Sequence, residues 1–225
     1  MGHSGINVLF EGRNFTRLLG GLWTSVWIAV LSLIIGLALG ALFGVLRTSK
    51  SRLVKVIFRI YLEFFRMVTT VVLLFLFYYI LPRQFNLNWP ASVMAVIAFA
   101  LWVSAEFSDI VRGTLISVPK IQRESGLALG LNKWQLFIYV LLPQAFQLEL
   151  PATINLATRV IKTTSLLMMI SVMDVINVGQ QIVEANNQTN PNGVFWVYGL
   201  IFFLYFIVDY PLSLWAKRLS KRNEA

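Results

Sequence analysis

Lys162 is the charge hardest to place in this chain. It stands near the middle of an apolar stretch running from about Pro151 to Val175, and Thr163, Thr164 and Ser165 follow it directly. A charged side chain at the centre of a membrane span costs at least about 3 kcal/mol on the mildest scale, so the ammonium needs a partner. Two readings are open. The partner is permanent, either a carboxylate such as Asp174 or Glu149 or the backbone carbonyls where Pro151 distorts the helix. Alternatively it is transient, a carboxylate on a solute held also by the hydroxyls, at the kind of interrupted helix where transporter sites form. Arg159, three residues earlier, is long enough to snorkel to the surface. Glu63 and Arg66 lie three apart, as do Glu106, Asp109 and Arg112, so each set shares a helix face and can pair. A charge cluster at a helix end reads first as an interfacial ion network. Other chemistries lack their residues. There is no Cys and one His, His3, which leaves no metal set. No G-x-x-x-x-G-K-[ST] segment is present to cradle a nucleotide.

A second set of charges lies in a patterned loop, Val118 to Gln144. Lys120, Arg123, Glu124 and Lys133 do not belong in hydrocarbon. From Arg123 to Leu129 only Gly126 disfavours a helix, Leu127 and Leu131 fall at helical spacing, and Gly130 supplies a stop. The spacing predicts a short helix with one apolar edge at the water interface. Such a helix either joins two spans or presents itself to a soluble partner.

The elements that must position these residues are membrane spans. A content of 57% hydrophobic and 13% charged residues excludes an ordinary soluble domain. The net charge of +9 does not indicate nucleic acid, because the basic residues flank apolar runs as they do at a membrane surface. Five spans are predicted, at about 18–46, 57–81, 89–108, 151–175 and 194–212, with residues 1–17 as a polar lead and 217–225 as a basic tail. Gly36, Gly40 and Gly44 form a smooth stripe on the first span, suited to close packing against another helix. The segment from Asn177 to Asn192 reads as a polar connector. Alternate loops carry thirteen Lys and Arg, against three on the opposite side (Arg13, Arg17 and Arg83). The bias predicts the N-terminus outside, and the patterned loop and C-terminus in the cytoplasm.

The loop also carries a resemblance. Glu124-Ser125-Gly126, three residues, Gly130, nine residues, Val140, one residue, Leu142-Pro143 is similar in register to the EAA loop of ABC importer permeases, with Gly126 and Val140 as mild departures. Leu142-Pro143-Gln144-Ala145, Leu150-Pro151, Asn155 and Lys162-Thr163-Thr164-Ser165-Leu166 resemble the polar amino acid permeases of that superfamily. The resemblance implies an all-α, five-span transport subunit of a bacterial inner membrane, with no enzymatic activity of its own. It implies no cofactor on this chain, with ATP and Mg bound by a separate cytoplasmic ABC ATPase. It also implies a second permease subunit, identical or homologous, and an extracytoplasmic binding protein that delivers an amino acid. Glu124, Ser125, Gly126, Ala128, Gly130 and Leu131 would form the helix coupled to the ATPase. Lys162, Thr163, Thr164, Ser165, Arg66, Arg159 and Asp109 become candidates for the substrate path. The family's G-T-P turn after the Arg is missing, since Arg66 is followed by Met67-Val68-Thr69-Thr70. That departure favours the alternative of a structural half in a heterodimeric permease pair. A channel, the remaining class, would not need the patterned loop.

Overall fold

The computed structural model describes residues 5–49, 51–86 and 88–224. His3 and Lys50 lie outside the described residues. Every regular element among the described residues is helical: α1 (Asn7–Phe10), α2 (Asn14–Leu46), α3 (Arg52–Met67), α4 (Thr70–Phe75), α5 (Leu81–Phe85), α6 (Ala91–Ser117), α7 (Lys120–Ala128), α8 (Lys133–Leu136), α9 (Leu142–Thr163), α10 (Val175–Asn186) and α11 (Gly193–Glu224). Four continuous helical stretches are long and apolar enough to cross a membrane, and the bent pair Arg52–Met67 and Thr70–Phe85 makes a possible fifth.

α2 and α6 form the axis of the bundle. A Cβ added at Gly36 would sit 2.6 Å from the side chain of Val103, one at Gly40 2.9 Å from Phe107, and one at Gly44 2.7 Å from Val111. The stripe therefore admits the backbone of α6 itself, as close helix approach in a membrane requires. Phe99 and Val103 of α6 are fully buried, and they join Ile28 of α2, Leu73 and Leu74 of α4, and Leu156 and Val160 of α9 in the main core. A second cluster, Val8, Leu18, Val178, Ile182, Val197 and Ile201, ties α1, α2, α10 and α11 together.

The second span departs from the straight helix expected over 57–81. α3 ends at Met67, and the chain turns by 104° before Thr70–Phe85. The family's Gly and Pro are absent, yet the turn is made. Val68 (ψ 126°) and Thr69 (ψ 137°) take extended backbone that any residue can adopt. Val68 and Thr69 are both β-branched and sit readily in extended backbone. The turn is thus made without the family's motif.

Two π-helical turns, Leu76–Ile80 and Phe137–Leu141, end one residue before the residue that precedes Pro82 and Pro143 respectively. A proline ring clashes with the carbonyl four residues back and withholds an N–H, and a widened turn accommodates both defects.

The fourth span is longer and earlier than the predicted 151–175. Helical structure is continuous over Lys133–Ile170 and stops at Ser171, whose φ is 60°. The segment read as a polar connector is largely α10, whose first N–H groups are capped by Asp174 (Asn177 N–H at 2.9 Å, Ile176 N–H at 3.3 Å). The fifth span and the basic tail form one helix, α11.

Candidate functional site

Three groups of polar side chains interrupt the apolar bundle. The first lies on α6. Asp109 receives Arg47, just past the end of α2, at 3.2 Å and Arg66 of α3 at 3.4 Å, while Glu106 receives Arg159 of α9 at 2.7 Å. The Arg159 guanidinium also lies over the Trp102 ring, 5.3 Å from its centroid. Glu106 and Asp109 thus enter an ion network as expected, but Arg112 takes no part in it, and the cations come from other segments. The Glu63–Arg66 pair is not made. Glu63 instead takes Arg59, one turn earlier, at 2.8 Å, which leaves Arg66 for Asp109. Arg66, Arg159 and Asp109 are therefore engaged in helix-to-helix pairs.

The second group surrounds Lys162. Here α9 tightens into a 3-10 helix over Thr164–Ile170. The three hydroxyls are turned onto their own helix. Thr163 donates to the Arg159 carbonyl at 2.8 Å, Thr164 to Ile161 at 2.6 Å and Ser165 to Lys162 at 2.9 Å. Their protons are thus committed to backbone; Thr163 and Ser165 are half-buried, while Thr164 is fully buried with its oxygen 3.4 Å from the Tyr205 hydroxyl. Neither expected carboxylate serves the ammonium. Asp174 caps α10, and neither it nor Glu149 forms an ion pair with Lys162 among the described residues. The acid that faces Lys162 is Asp209 of α11. The two line one cavity of about 340 Å³ with Phe202, Tyr205, Phe206, Tyr210 and Ser213. Asp209 is 6% exposed, its Oδ1 has no hydrogen-bond partner, and no ion pair closes between it and Lys162. Sequence reasoning missed Asp209, although a lone acid inside the fifth apolar run is itself a signal.

The third group is the patterned loop, whose local geometry follows from its sequence. α7 ends in a Schellman motif: Leu131 N–H reaches the Gly126 carbonyl (3.1 Å), Gly130 N–H reaches that of Leu127 (3.0 Å), and Gly130 takes φ 82°. The next helix opens with a capping box. Asn132 Oδ1 accepts from the Trp134 and Gln135 N–H groups, and the Gln135 side chain accepts from the Asn132 N–H. Leu136 lies directly over Gly126, where a Cβ would collide with its Cδ1. Arg123 Nη2 donates to the Leu115 carbonyl at 2.7 Å, tying α7 to the last turn of α6. The helix is thus held on its inner side by Gly126 and Arg123. Outward it shows Glu124, Ser125 and Ala128 beside the apolar Ile121, Leu127 and Leu129, with Gly130 also exposed and Leu131 half-buried. Among the described residues no cluster of three or more His, Cys, Asp or Glu could hold a metal ion.

The comparisons with known proteins agree with this architecture. The family model described as "Binding-protein-dependent transport system inner membrane component" matches residues 32–223. The L-cystine transport system permease protein TcyB of Bacillus subtilis is 33% identical over 205 residues, covering 91% of this chain and 86% of that one. The glutamine transport system permease protein GlnP of Escherichia coli K12 is 32% identical over 218 residues, covering 96% and 93%. A crystal structure of an amino acid ABC transporter shares the fold with a TM-score of 0.79 at 24% identity, over 91% of this chain and 94% of that one. The MetNI methionine ABC transporter in an inward-facing conformation shares it at 0.69 and 17% identity, over 91% and 97%. With that family model matched across most of its length, the chain belongs to the binding-protein-dependent transport system inner membrane components.

Proposed function

We propose that this chain is the membrane-spanning permease subunit of an ATP-driven ABC importer for amino acids. The observation that carries the reading is the family match over residues 32–223, joined by relatives at about a third identity that are named as cystine and glutamine permeases. ATP and Mg are bound by a separate cytoplasmic ATPase, and α7 docks on it through Glu124, Ser125, Ala128 and the neighbouring apolar side chains. A second permease subunit completes the path, and an extracytoplasmic binding protein supplies the solute. The Lys and Arg bias supports an orientation with α7 and the end of α11 in the cytoplasm of a bacterial cell.

Coupling of this kind needs a rigid contact and a bistable bundle. The Schellman end, the capping box and the Leu136–Gly126 contact supply the rigidity, because they satisfy the polar groups at the α7–α8 junction locally. The cavity of Lys162 and Asp209 is the part of the bundle suited to a zwitterion, with the solute carboxylate at the ammonium and its ammonium at the Asp209 carboxylate. The docking role is tested in the complex purified from native membranes and reconstituted in vesicles. Glu124→Ala and Gly130→Pro should abolish ATP-driven uptake while the chain stays inserted. At Gly130 the proline ring fixes φ near −65°, against 82° in the structure, and removes the N–H given to Leu127. Normal solute-stimulated ATP hydrolysis in both variants would refute the docking role.

A further inference from the structure

A cavity of about 340 Å³ opens at the end of the bundle opposite α10, where α2 ends and α3 begins. It is lined by Arg47, Lys55, Arg59, Leu62, Glu63 and Arg112. Lys55 and Arg59 of α3, Arg112 of α6 and Arg47 just past α2 thus line the cavity with one carboxylate, and that carboxylate is already used by Arg59 at 2.8 Å. Arg47 is fixed at the back of the cavity by Ser108 Oγ (3.2 Å) and Asp109 (3.2 Å), with its side chain only 11% exposed. Lys55 and Arg112 make no hydrogen bond or ion pair through their side chains among the described residues. Lys55 and Arg112 thus add two unpaired like charges to one concavity, and an anion removes the cost of their repulsion.

The surface beside the cavity shows which anion. α3 turns its basic residues, Lys55 and Arg59, toward the cavity one helical turn apart. The same helix leaves Leu53, Val56, Ile57 and Ile60 more than half exposed. An amphipathic helix with cations on one face and bare aliphatic side chains on the other lies where headgroups meet acyl chains. Basic pockets between helices at such an interface take lipid phosphates. A lipid phosphate uses the cations and the adjoining aliphatic face together, whereas a free phosphate uses the cations alone.

We propose that this cavity is a phosphate-binding site for the headgroup of an anionic phospholipid, whose acyl chains lie along the aliphatic face of α3. The proposal is independent of the transported solute, because no residue of the Lys162 cavity takes part.

The test uses the full chain with its accompanying subunits, in nanodiscs of phosphatidylcholine with a minor fraction of phosphatidylglycerol. Lipids retained after release are counted by native mass spectrometry. The wild type should retain phosphatidylglycerol in preference to phosphatidylcholine. Lys55→Gln and Arg112→Gln should each weaken that preference by about fivefold, the usual worth of one basic residue at an anionic surface. Arg83→Gln, which removes a cation lining a different cavity beside Trp89 and Pro90, should leave it unchanged. Lys55→Gln alone serves if the Arg112 variant does not fold, since Lys55 lies on an exposed helix face. An undiminished preference in Lys55→Gln, or an equal loss in Arg83→Gln, would overturn the site. Binding of inorganic phosphate with no discrimination between the two lipids would overturn the lipid and assign the cavity to a free anion.

Discussion

Asp109 and Asp209 are both aspartates on long apolar helices, but their surroundings differ. Asp109 lies between two guanidinium groups from two other segments and closes ion pairs with both. Asp209 is more deeply buried, yet one of its oxygens has no partner, and the cation across the cavity stays beyond ion-pairing distance. A buried carboxylate oxygen left unpaired costs about 1–3 kcal/mol or more. A fold tolerates such a cost most readily where a ligand removes it in turn. The α6 cluster spends its charges on holding helices together, whereas the α9–α11 cavity keeps its charges available.

Three substitutions bear on that contrast. The largest effect should come from Lys162→Met, which keeps the length and removes the charge. Apparent transport affinity should fall by about 10- to 100-fold, the worth of one hydrogen bond to a charged group. Assembly and the thermal midpoint of the purified protein should hold. An assembled variant with unchanged affinity would move Lys162 to the structural side and erase the contrast. Next comes Asp109→Ala, which strands the nearly buried Arg47 without a carboxylate. It should lower stability by about 2 kcal/mol, less than a fully buried pair would lose, because Asp109 is 41% exposed. A denaturation midpoint equal to that of the wild type would show that the cluster locks nothing. The smallest effect should be that of Arg66→Gln. Its pair is longer, at 3.4 Å, and both side chains are about half exposed, so the loss should stay under about 0.5 kcal/mol. A loss matching that of Asp109→Ala would make Arg66, not Arg47, the partner that matters.

The sequence showed some of this and hid the rest for physical reasons. The apolar runs of α2, α6 and α11 and the glycine stripe were legible, because span length and small-residue spacing are properties of one segment at a time. The end of α7 was legible, because Gly130 is needed at a left-handed position, but the capping box that Asn132 and Gln135 spell was passed over. Pairings between segments were not legible. Glu63 has candidate partners one turn away in both directions, and only packing decides that Arg59 takes it and Arg66 crosses to Asp109. The break after Met67 was obscured because two β-branched residues in extended backbone, Val68 and Thr69, stand where a glycine and proline were expected. α10 carried a signal that was passed over: Asp174 ahead of Val175, Val178 and Ile182 is an N-cap before apolar residues at helical spacing. Asp209 was hidden by its position near the end of a long apolar run, where a single acid reads as a boundary.

The bare stripe on α2 also bears on how the protein is made. Ser32 of α2 hydrogen-bonds the Val96 carbonyl of α6, 64 residues later in the chain. At about 5–20 residues per second, that separation is roughly 3–13 s of synthesis. For that interval α2 exists without the segment of α6 that fills its groove. Insertion and pairing are therefore separate events for this helix. Its uncharged length suffices for the first, and Gly36, Gly40 and Gly44 hold a vacant berth until the second.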